Sequence, residues 1–483
     1  MKRTASARNF RLLLAALLAA AATGAPVRAQ TGTPETAPAP AQSTPAPGPA
    51  QSTSPPSEAA PSTQAPPLGA APASPAQTPP PPSEAGPSTS APPLSAAPAA
   101  PASPAPAQAA RKPKPKPAPP RETALSDDPT PALQPQTFYT TSKAADRYRQ
   151  IVDAGGWPTV GVSLRPGSKG AAVSTLRRRL AAEDDSIADA AKPKWDADLT
   201  AAVKRFQFRM GLKQTGVVAG ATLRELDVPA ETRLLQLDST ARRLTALEFA
   251  FGPRYIVVNI PSTAVDAVED DRVVRRYAAI VGDLEHHSPE LQAKVVAVNI
   301  NPTWTVPASI VKSEIAPKML KDPTYLKRSH IRVLNAHGEE VDPRSINWAS
   351  ERAAQYTLRQ DSGTDNSLGS IRISMPNRYS VYMHDTPSRN LFANDYRFLS
   401  HGCVRVQGVV DLAAWLLDGE SGSQMSKDEI NKQIASGARE EVKLTHHVPA
   451  AWVYMTGWAS ADGVVHFRDD VYHLDEVGEI AEQ

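Results

Sequence analysis

The sequence predicts an α+β chain of several domains, in which a long disordered segment and a small helical domain precede a mostly β domain. Three observations support this prediction. Of the 48 prolines, 29 lie between Thr31 and Pro120. Apolar residues then recur at helical spacing between 173 and 226, and β-branched runs begin near residue 255. The folded part has about 340 residues, which is enough for two hydrophobic cores.

The first 29 residues have the organisation of an export signal. An apolar run, Leu12–Ala22, is shorter than the ~20 residues that a membrane-spanning helix needs. Small residues at Val27 and Ala29 fit a cleavage site, so we expect cleavage after Ala29 and an exported, soluble protein. The basic residues before the apolar run are Lys2, Arg3, Arg8 and Arg11.

Residues 30–125 are predicted to form a disordered linker, because they are rich in Pro, Ala and Ser and contain almost no large apolar side chains. Pro55–Pro72 recurs as Pro81–Pro98 with fifteen of eighteen positions identical, which indicates expansion of the linker. A basic patch at 111–116 is either a solvated spacer or a contact for anionic polymers. The net charge of +2 does not indicate nucleic-acid binding, and a single cysteine excludes an intrachain disulfide.

Residues 143–230 are predicted to form the helical domain. A short helix begins at Asp146, and three further helices carry apolar stripes before a connecting helix, Arg233–Phe249. The stripes predict a core and supply no information about a ligand. Their residues are Val173, Leu176 and Leu180, then Leu199, Val203, Phe206 and Met210, then Leu223 and Leu226.

The mostly β domain is predicted over residues 251–447. Strands are expected at Tyr255–Ile260 and Lys294–Ile300, and again at Ile371–Met375 and Tyr379–Met383. Between about 306 and 360 the pattern changes to helix and loop, which predicts an insertion.

Two helices and a pair of short strands are predicted to follow. Val409–Leu417 is amphipathic, and Ser426 with Glu429 forms a capping box at the start of the second helix. Val453–Tyr454 and Val464–Phe467 are predicted as late strands, within a C-terminal segment of strands and tail at 448–483.

The candidate chemistry centres on Cys403, the only cysteine. His401 lies two residues before it and His384 nineteen before it, so an imidazole could take the proton of an attacking thiol. Gly402 allows a close approach of the backbone, and the Cys403 amide can then face a developing oxyanion. Two other interpretations stay open, a small buried hydrophobic residue and a zinc ligand.

The stretch 382–406, which contains SHGCVR at 400–405, resembles the active-site signature of the L,D-transpeptidases (the YkuD family). RYIVVNIP at 254–261, NPTWTVPASI at 301–310 and DNSLG at 365–369 are similar to a periplasmic, lid-bearing subgroup typified by YcbB. The helical segments resemble a peptidoglycan-binding module of three helices. The resemblance implies a mostly β YkuD-type catalytic core, a helical lid at about 306–360 and a periplasmic location.

The resemblance also implies roles for individual residues. Cys403 is the nucleophile and His384 is its base, while His401 is a supporting donor, a wall of the oxyanion pocket or a structural histidine. A backbone carbonyl is a better orienter of His384 than Asp385, because adjacent strand residues point to opposite faces. The expected substrate-binding residues are Arg405, Tyr382, Ser400 and Trp304. A structural ion pair is an open alternative for Arg405, and a place in the core is an open alternative for Trp304.

The implied reaction has two steps and requires neither a metal nor a cofactor. Cys403 attacks the third residue of a peptidoglycan stem, D-alanine leaves, and an amine of a second stem resolves the thioester to give a 3–3 cross-link in cell wall biogenesis. An L,D-carboxypeptidase using the same acyl-enzyme and an inactive wall-binding scaffold are the alternatives. The expected partners are stem peptides and the sacculus, and the oligomeric state is left open.

Overall fold

The computed structural model describes residues 121–184, 186–187, 189–418 and 425–475. The predicted export signal, the predicted linker up to residue 120 and the tail beyond 475 lie outside this part. The first described residues contact both domains. The amides of Glu122 and Thr123 donate to the Asp395 carboxylate at 2.9 Å, and the Ala124 amide donates to the Gly211 carbonyl at 2.9 Å. No helix within the described ranges is both long and apolar enough to cross a membrane.

The helical domain begins earlier than predicted. Its first helix starts at Thr137, nine residues before Asp146, because Thr140 and Thr141 are fixed by hydrogen bonds to Ala459 and carry no apolar pattern. Gly211, with φ of +68°, follows the end of the third helix. The helices are α1 Thr137–Asp153, α2 Ala171–Ala181, α3 Ala197–Arg209, α4 Gly220–Leu226 and α5 Ala230–Thr245.

The predicted apolar stripes of α2 and α3 are buried and form the core of this domain. The same core also contains Tyr148 of α1, Leu237 of α5 and Phe467 near the C-terminus. The core therefore extends beyond the three predicted helices, since sequence periodicity does not show which distant elements share a core.

The mostly β domain opens with four strands, two of which agree with the prediction. The hairpin partners β2 and β3 are missed because Asp266 and a cluster of arginines interrupt their apolar pattern. The strands are β1 Arg254–Asn259, β2 Ala264–Glu269, β3 Arg272–Gly282 and β4 Leu291–Ile300.

The predicted insertion at about 306–360 forms a subdomain with its own hydrophobic core, which includes Val311, Leu326 and Leu358. It contains the expected helix, but also a three-stranded sheet of order β5-β7-β6 in place of loop alone. Its elements are β5 Trp304–Thr305, α6 Ala308–Ile310, a π-helical turn Val311–Ile315, α7 Ala316–Lys321, α8 Tyr325–Arg328, β6 Ile331–Leu334, 3₁₀ turns Pro343–Ser345 and Glu351–Gln355, and β7 Thr357–Gln360.

The remaining elements complete the large sheet. The strand predicted at Tyr379–Met383 is wrong over most of its length, because Ser380 has φ of +56° and the Asn377 side chain holds a turn there. The elements are β8 Ile371–Ser374, β9 Met383–His384, a 3₁₀ turn Arg389–Ala393, β10 Phe398–Ser400, β11 Val404–Val406, α9 Val409–Leu417, α10 Lys427–Ser436, β12 Glu440–Val453, β13 Gly457–Ala459 and β14 Val465–Phe467.

The capping box of α10 is present in both directions, from Ser426 and from Glu429. The late-strand prediction is partly wrong, since Val453 ends β12 and the partner of β14 is β13. The predicted boundary at 447 falls within β12, which pairs with β1 and β4.

Nine strands form one sheet of order β10-β3-β11-β9-β8-β4-β12-β1-β2. Two short central strands carry the residues of interest, since β9 ends at His384 and β11 follows Cys403. β9 and β11 are parallel neighbours, with His384 opposite Arg405. The sheet therefore brings the predicted histidine and cysteine to one edge of the core.

Candidate active site

The turn that holds the cysteine joins β10 to β11 and requires a glycine. Gly402 has φ of +98°, and a Cβ built there would lie 3.2 Å from the His287 carbonyl oxygen. The Gly402 carbonyl accepts a 2.8 Å hydrogen bond from Ser288 Oγ. Gly402 thus lets the turn pack closely on the β3–β4 loop.

Ser400 fixes the same turn from inside. Its side chain is buried, and Oγ donates to the Cys403 carbonyl at 2.5 Å and accepts from the Gly402 amide at 3.3 Å. Its hydroxyl is therefore occupied within the loop, and the role of Ser400 in substrate binding stays a prediction.

Cys403 is half-buried against the core of the large sheet. Burial raises the pKa of its thiol to about 11. A hydrogen bond from the Tyr382 backbone and the charges of Arg405 and Arg372 lower the pKa, but by less than burial raises it. The thiol is therefore neutral at physiological pH. Its own amide has no hydrogen-bond acceptor among the described residues, which leaves that N–H available for an oxyanion.

His384 is 5% exposed and its ring is fixed by a backbone group. Nδ1 lies 2.5 Å from the Asp385 carbonyl oxygen. Because a carbonyl only accepts, Nδ1 carries the proton and Nε2 keeps its lone pair. Burial and the nearby Arg405 charge lower the pKa of this imidazole to about 4. His384 is thus a neutral base with a defined tautomer.

The carboxylate of Asp385 does not orient His384. It accepts from the Ser370 amide at 3.0 Å, from Ser370 Oγ at 2.8 Å and from Arg389 at 2.9 Å. These bonds hold the loop after β9, so the backbone carbonyl is the orienter, as predicted. Gly369 is required here because a Cβ would lie 2.5 Å from the Asp385 Cβ.

His401 contacts the insertion. Its Nε2 lies 2.9 Å from Glu314 Oε1, and its ring centroid lies 4.6 Å from that of His286. Glu314 stands in the π-helical turn and also accepts from Lys318 Nζ at 2.7 Å. Sequence reasoning missed Glu314, because no local pattern shows which residue of an insertion meets the core.

Arg405 lies beside both catalytic candidates. Its β11 position is opposite His384, and its charge acts on Cys403 and on Glu314. Its Nε is buried and has no hydrogen-bond partner in the described structure. A buried N–H without an acceptor is costly, so Arg405 is suited to an anionic or carbonyl group of a ligand.

Tyr382 and Trp304 form an aromatic side of the site. The Tyr382 ring packs edge-on to the His384 ring, with centroids 5.7 Å apart, and its hydroxyl interacts with the Trp304 indole. Trp304 is half-buried and belongs to β5 of the insertion. It packs on the core of the insertion and therefore lies where the insertion meets the large sheet.

The candidate nucleophile and the two histidines thus come together, but as separate hydrogen-bonded units. His384 bonds the Asp385 carbonyl, and His401 bonds Glu314. In the ranges that the structure describes, no three His, Cys, Asp or Glu side chains are grouped as metal ligands. The arrangement can perform acyl transfer through a thiol with a general base alongside.

Comparisons with known proteins agree with this chemistry. Residues 253–424 match the family model described as "L,D-transpeptidase catalytic domain" (YkuD), and residues 169–226 match the one described as "Putative peptidoglycan binding domain". The chain therefore carries an L,D-transpeptidase catalytic domain of the YkuD family. A peptidoglycan-binding domain precedes it.

Individual relatives cover parts of the chain. A "Putative L,D-transpeptidase" of Haemophilus influenzae is 32% identical over 228 residues, 47% of this chain and 46% of the relative. The chain thus spans about half the length of that curated relative.

Two solved L,D-transpeptidase structures are also similar. The one from Stackebrandtia nassauensis is 14% identical with a TM-score of 0.24, over 60% of this chain and 94% of its own. The one from Xylanimonas cellulosilytica is 18% identical with a TM-score of 0.21, over 61% and 100%.

Proposed function

We propose that the protein is an L,D-transpeptidase of the lid-bearing periplasmic subgroup. It forms a thioester between Cys403 and a peptidoglycan tetrapeptide stem, releases D-alanine and makes 3–3 cross-links. The observation that carries this proposal is the pair of neighbouring strands that bring a neutral, backbone-fixed His384 beside the turn of Cys403.

The first step forms the Sγ–C bond and breaks the amide bond to D-alanine. Because the pKa of the thiol is raised to about 11 and that of His384 lowered to about 4, an ion pair is disfavoured before substrate binds. The thiol proton therefore passes to His384 Nε2 as Sγ attacks, and then to the departing amine. The Cys403 amide stabilises the oxyanion.

The second step reverses these roles with a new amine. The acceptor nitrogen attacks the thioester, its proton passes to His384 Nε2, and the C–S bond breaks to return the thiol. A thioester is also open to water, which is present at about 55 M. Transfer thus depends on holding the amine close and keeping water out.

We assign that task to the insertion at 306–360. It reaches the site at two places, through Glu314 at His401 and through Trp304 at Tyr382. A subdomain with its own core that touches both sides of the nucleophile is suited to act as a lid.

Peptidoglycan is the proposed partner, held through residues 169–226. The proposed location is the periplasm, after export and cleavage near Ala29. Sacculi should then retain the intact chain on sedimentation and lose a chain whose helical domain carries surface substitutions.

The test is incubation of the mature protein with a purified disaccharide-tetrapeptide, with products identified by mass spectrometry. Cross-linked dimer and free D-alanine are expected. Tripeptide without dimer would assign carboxypeptidase activity instead, and unchanged substrate would favour a wall-binding scaffold.

A further inference from the structure

A second feature of the catalytic domain is a groove that leads away from Cys403. Its volume is about 880 Å³, and Tyr382 lies at the end nearest the nucleophile. From there it extends past β8 and β4 to the start of β12, and β5 and β7 of the insertion supply the other wall. The groove is of the size that protein ligand sites commonly have.

Arg372 carries a fixed positive charge in this groove. Its Nε donates to Asn299 Oδ1 at 3.0 Å, and Nη2 donates to Ser374 Oγ at 3.2 Å. Its guanidinium also lies over the Tyr382 ring, 5.5 Å from the centroid. All three partners are neutral, so they hold the guanidinium in place without neutralising it.

Two further arginines line the groove from different elements. Arg359 comes from β7 of the insertion and Arg439 directly precedes β12. Within the described ranges neither side chain makes a hydrogen bond or an ion pair. Glu440 and Glu441 also line the groove, and Glu441 Oε2 accepts from Asn299 Nδ2 at 2.8 Å. The groove thus contains three guanidinium groups and two carboxylates, and one of these carboxylates, that of Glu441, already accepts a hydrogen bond from Asn299.

The groove is coupled to the nucleophile. Arg372 is opposite His384 in the β8–β9 register, and its charge lowers the pKa of the Cys403 thiol against the larger effect of burial. Tyr382, which lines the groove, packs edge-on to the His384 ring, so a ligand at that end of the groove would lie beside the catalytic residues.

We propose that this groove is a carboxylate-binding subsite for a peptidoglycan stem peptide, with Arg372 near the nucleophile and Arg359 and Arg439 along its length. Guanidinium groups bind carboxylates through paired hydrogen bonds, and a stem peptide carries several carboxylates. The identity of the ligand rests on the proposed function, whereas the preference for an anion rests on the groove alone.

Binding is measured first, without catalysis. The Cys403→Ala chain is titrated calorimetrically with disaccharide-tetrapeptide, either with free carboxylates or with those carboxylates amidated. Adding Arg359→Gln and Arg439→Gln together should weaken binding of the free peptide about 10-fold, because charge-assisted hydrogen bonds are lost. Neither side chain makes a hydrogen bond or an ion pair with another described residue, so no polar interaction of the fold is lost and folding should be preserved.

A control and a double comparison make the result specific. Arg352→Gln removes an exposed arginine of the same insertion that does not line the groove, and should leave the affinity unchanged. Amidation should weaken binding to the parent and have a smaller effect on the double variant, in which only Arg372 of the three arginines remains. Equal affinity of the free and amidated peptides for the parent, or no binding at millimolar peptide, would overturn the proposal.

Turnover then shows which stem uses the groove. In the otherwise native chain, a raised KM for acylation with unchanged kcat assigns the groove to the donor. Unchanged acylation with less dimer and more tripeptide assigns it to the acceptor. If neither the native chain nor the double variant turns the peptide over, but binding still depends on the arginines, the proposed function is wrong and the proposed subsite is retained. If the arginine substitutions do not change turnover, the proposed function stands and the proposed subsite is rejected.

Discussion

The two sides of Cys403 are built differently, as their histidines show. His384 is 5% exposed, and a main-chain carbonyl of the central sheet fixes its ring. The His401 side chain is 32% exposed, and its partner is Glu314 of the insertion. One side is set by the core alone, whereas the other depends on a separate subdomain. Changes to the insertion should therefore leave acylation largely intact, but they should alter whether the acyl-enzyme reacts with an amine or with water.

The largest expected effect comes from the residue between these two sides. Cys403→Ala should abolish product formation, because the nucleophile is lost, while thermal unfolding stays close to that of the parent since the side chain is small. Mass spectrometry of products and circular dichroism test this. Full activity after alkylation of the thiol, or loss of activity with a chelator, would instead favour the zinc interpretation.

The next effect separates the histidines. His384→Ala should slow acylation by about 10²–10⁴-fold, as expected for loss of a general base. His401→Ala should slow it less, because His401 bonds a carboxylate of the insertion. Single-turnover acylation rates measure both variants. The opposite order would make His401 the base.

Removing the insertion tests the other side directly. Its buried residues lie between Val306 and Leu358, so replacement of 306–359 by a short Gly/Ser linker removes that core entirely. Acylation should survive in part, while tripeptide rises at the expense of dimer. The ratio of the two products measures this. An unchanged ratio in a folded variant would contradict a lid.

The expected pH dependence of activity follows from His384 and Cys403, which the large sheet positions. Neutral His384 is the proton acceptor and its pKa is lowered to about 4, so kcat/KM should be retained at pH 5 and fall as the pH drops through about 4. The pKa of Cys403 is raised to about 11, so alkylation by iodoacetamide should still be accelerating at pH 10. A thiol that titrates near pH 8.5 would show that the resting site is more open than described.

The smallest effect concerns the contact with the insertion. Glu314→Gln keeps the shape but removes the charge facing His401, and half-exposed ion pairs contribute only about 0.2–1 kcal/mol. Dimer yield should fall by a few fold at most, with acylation unchanged. Arg344→Gln, which removes an exposed insertion charge paired with Asp342, is the matched control.

The sequence predicts the catalytic side better than the insertion side. The SHGC turn, the backbone orientation of His384 and the apolar stripes of α2 and α3 follow from local patterns, and the structure has them. Ser400, Glu314 and Arg372 are different, because their roles depend on which distant residue each one meets. Ser400 turns inward, Glu314 reaches His401 across 87 positions, and Arg372 faces a groove shared by five strands.

The pairing of β13 with β14 has a consequence for how the chain is made. Thr140 bonds Ala459 across 319 residues, and Phe467 lies in the core of the helical domain beside Tyr148. The catalytic domain is thus enclosed in sequence between two parts of its neighbour. Chains are synthesised from the N-terminus, and early domains usually fold first. Here the helical domain, which precedes the catalytic domain in sequence, cannot close its core until Phe467 has emerged.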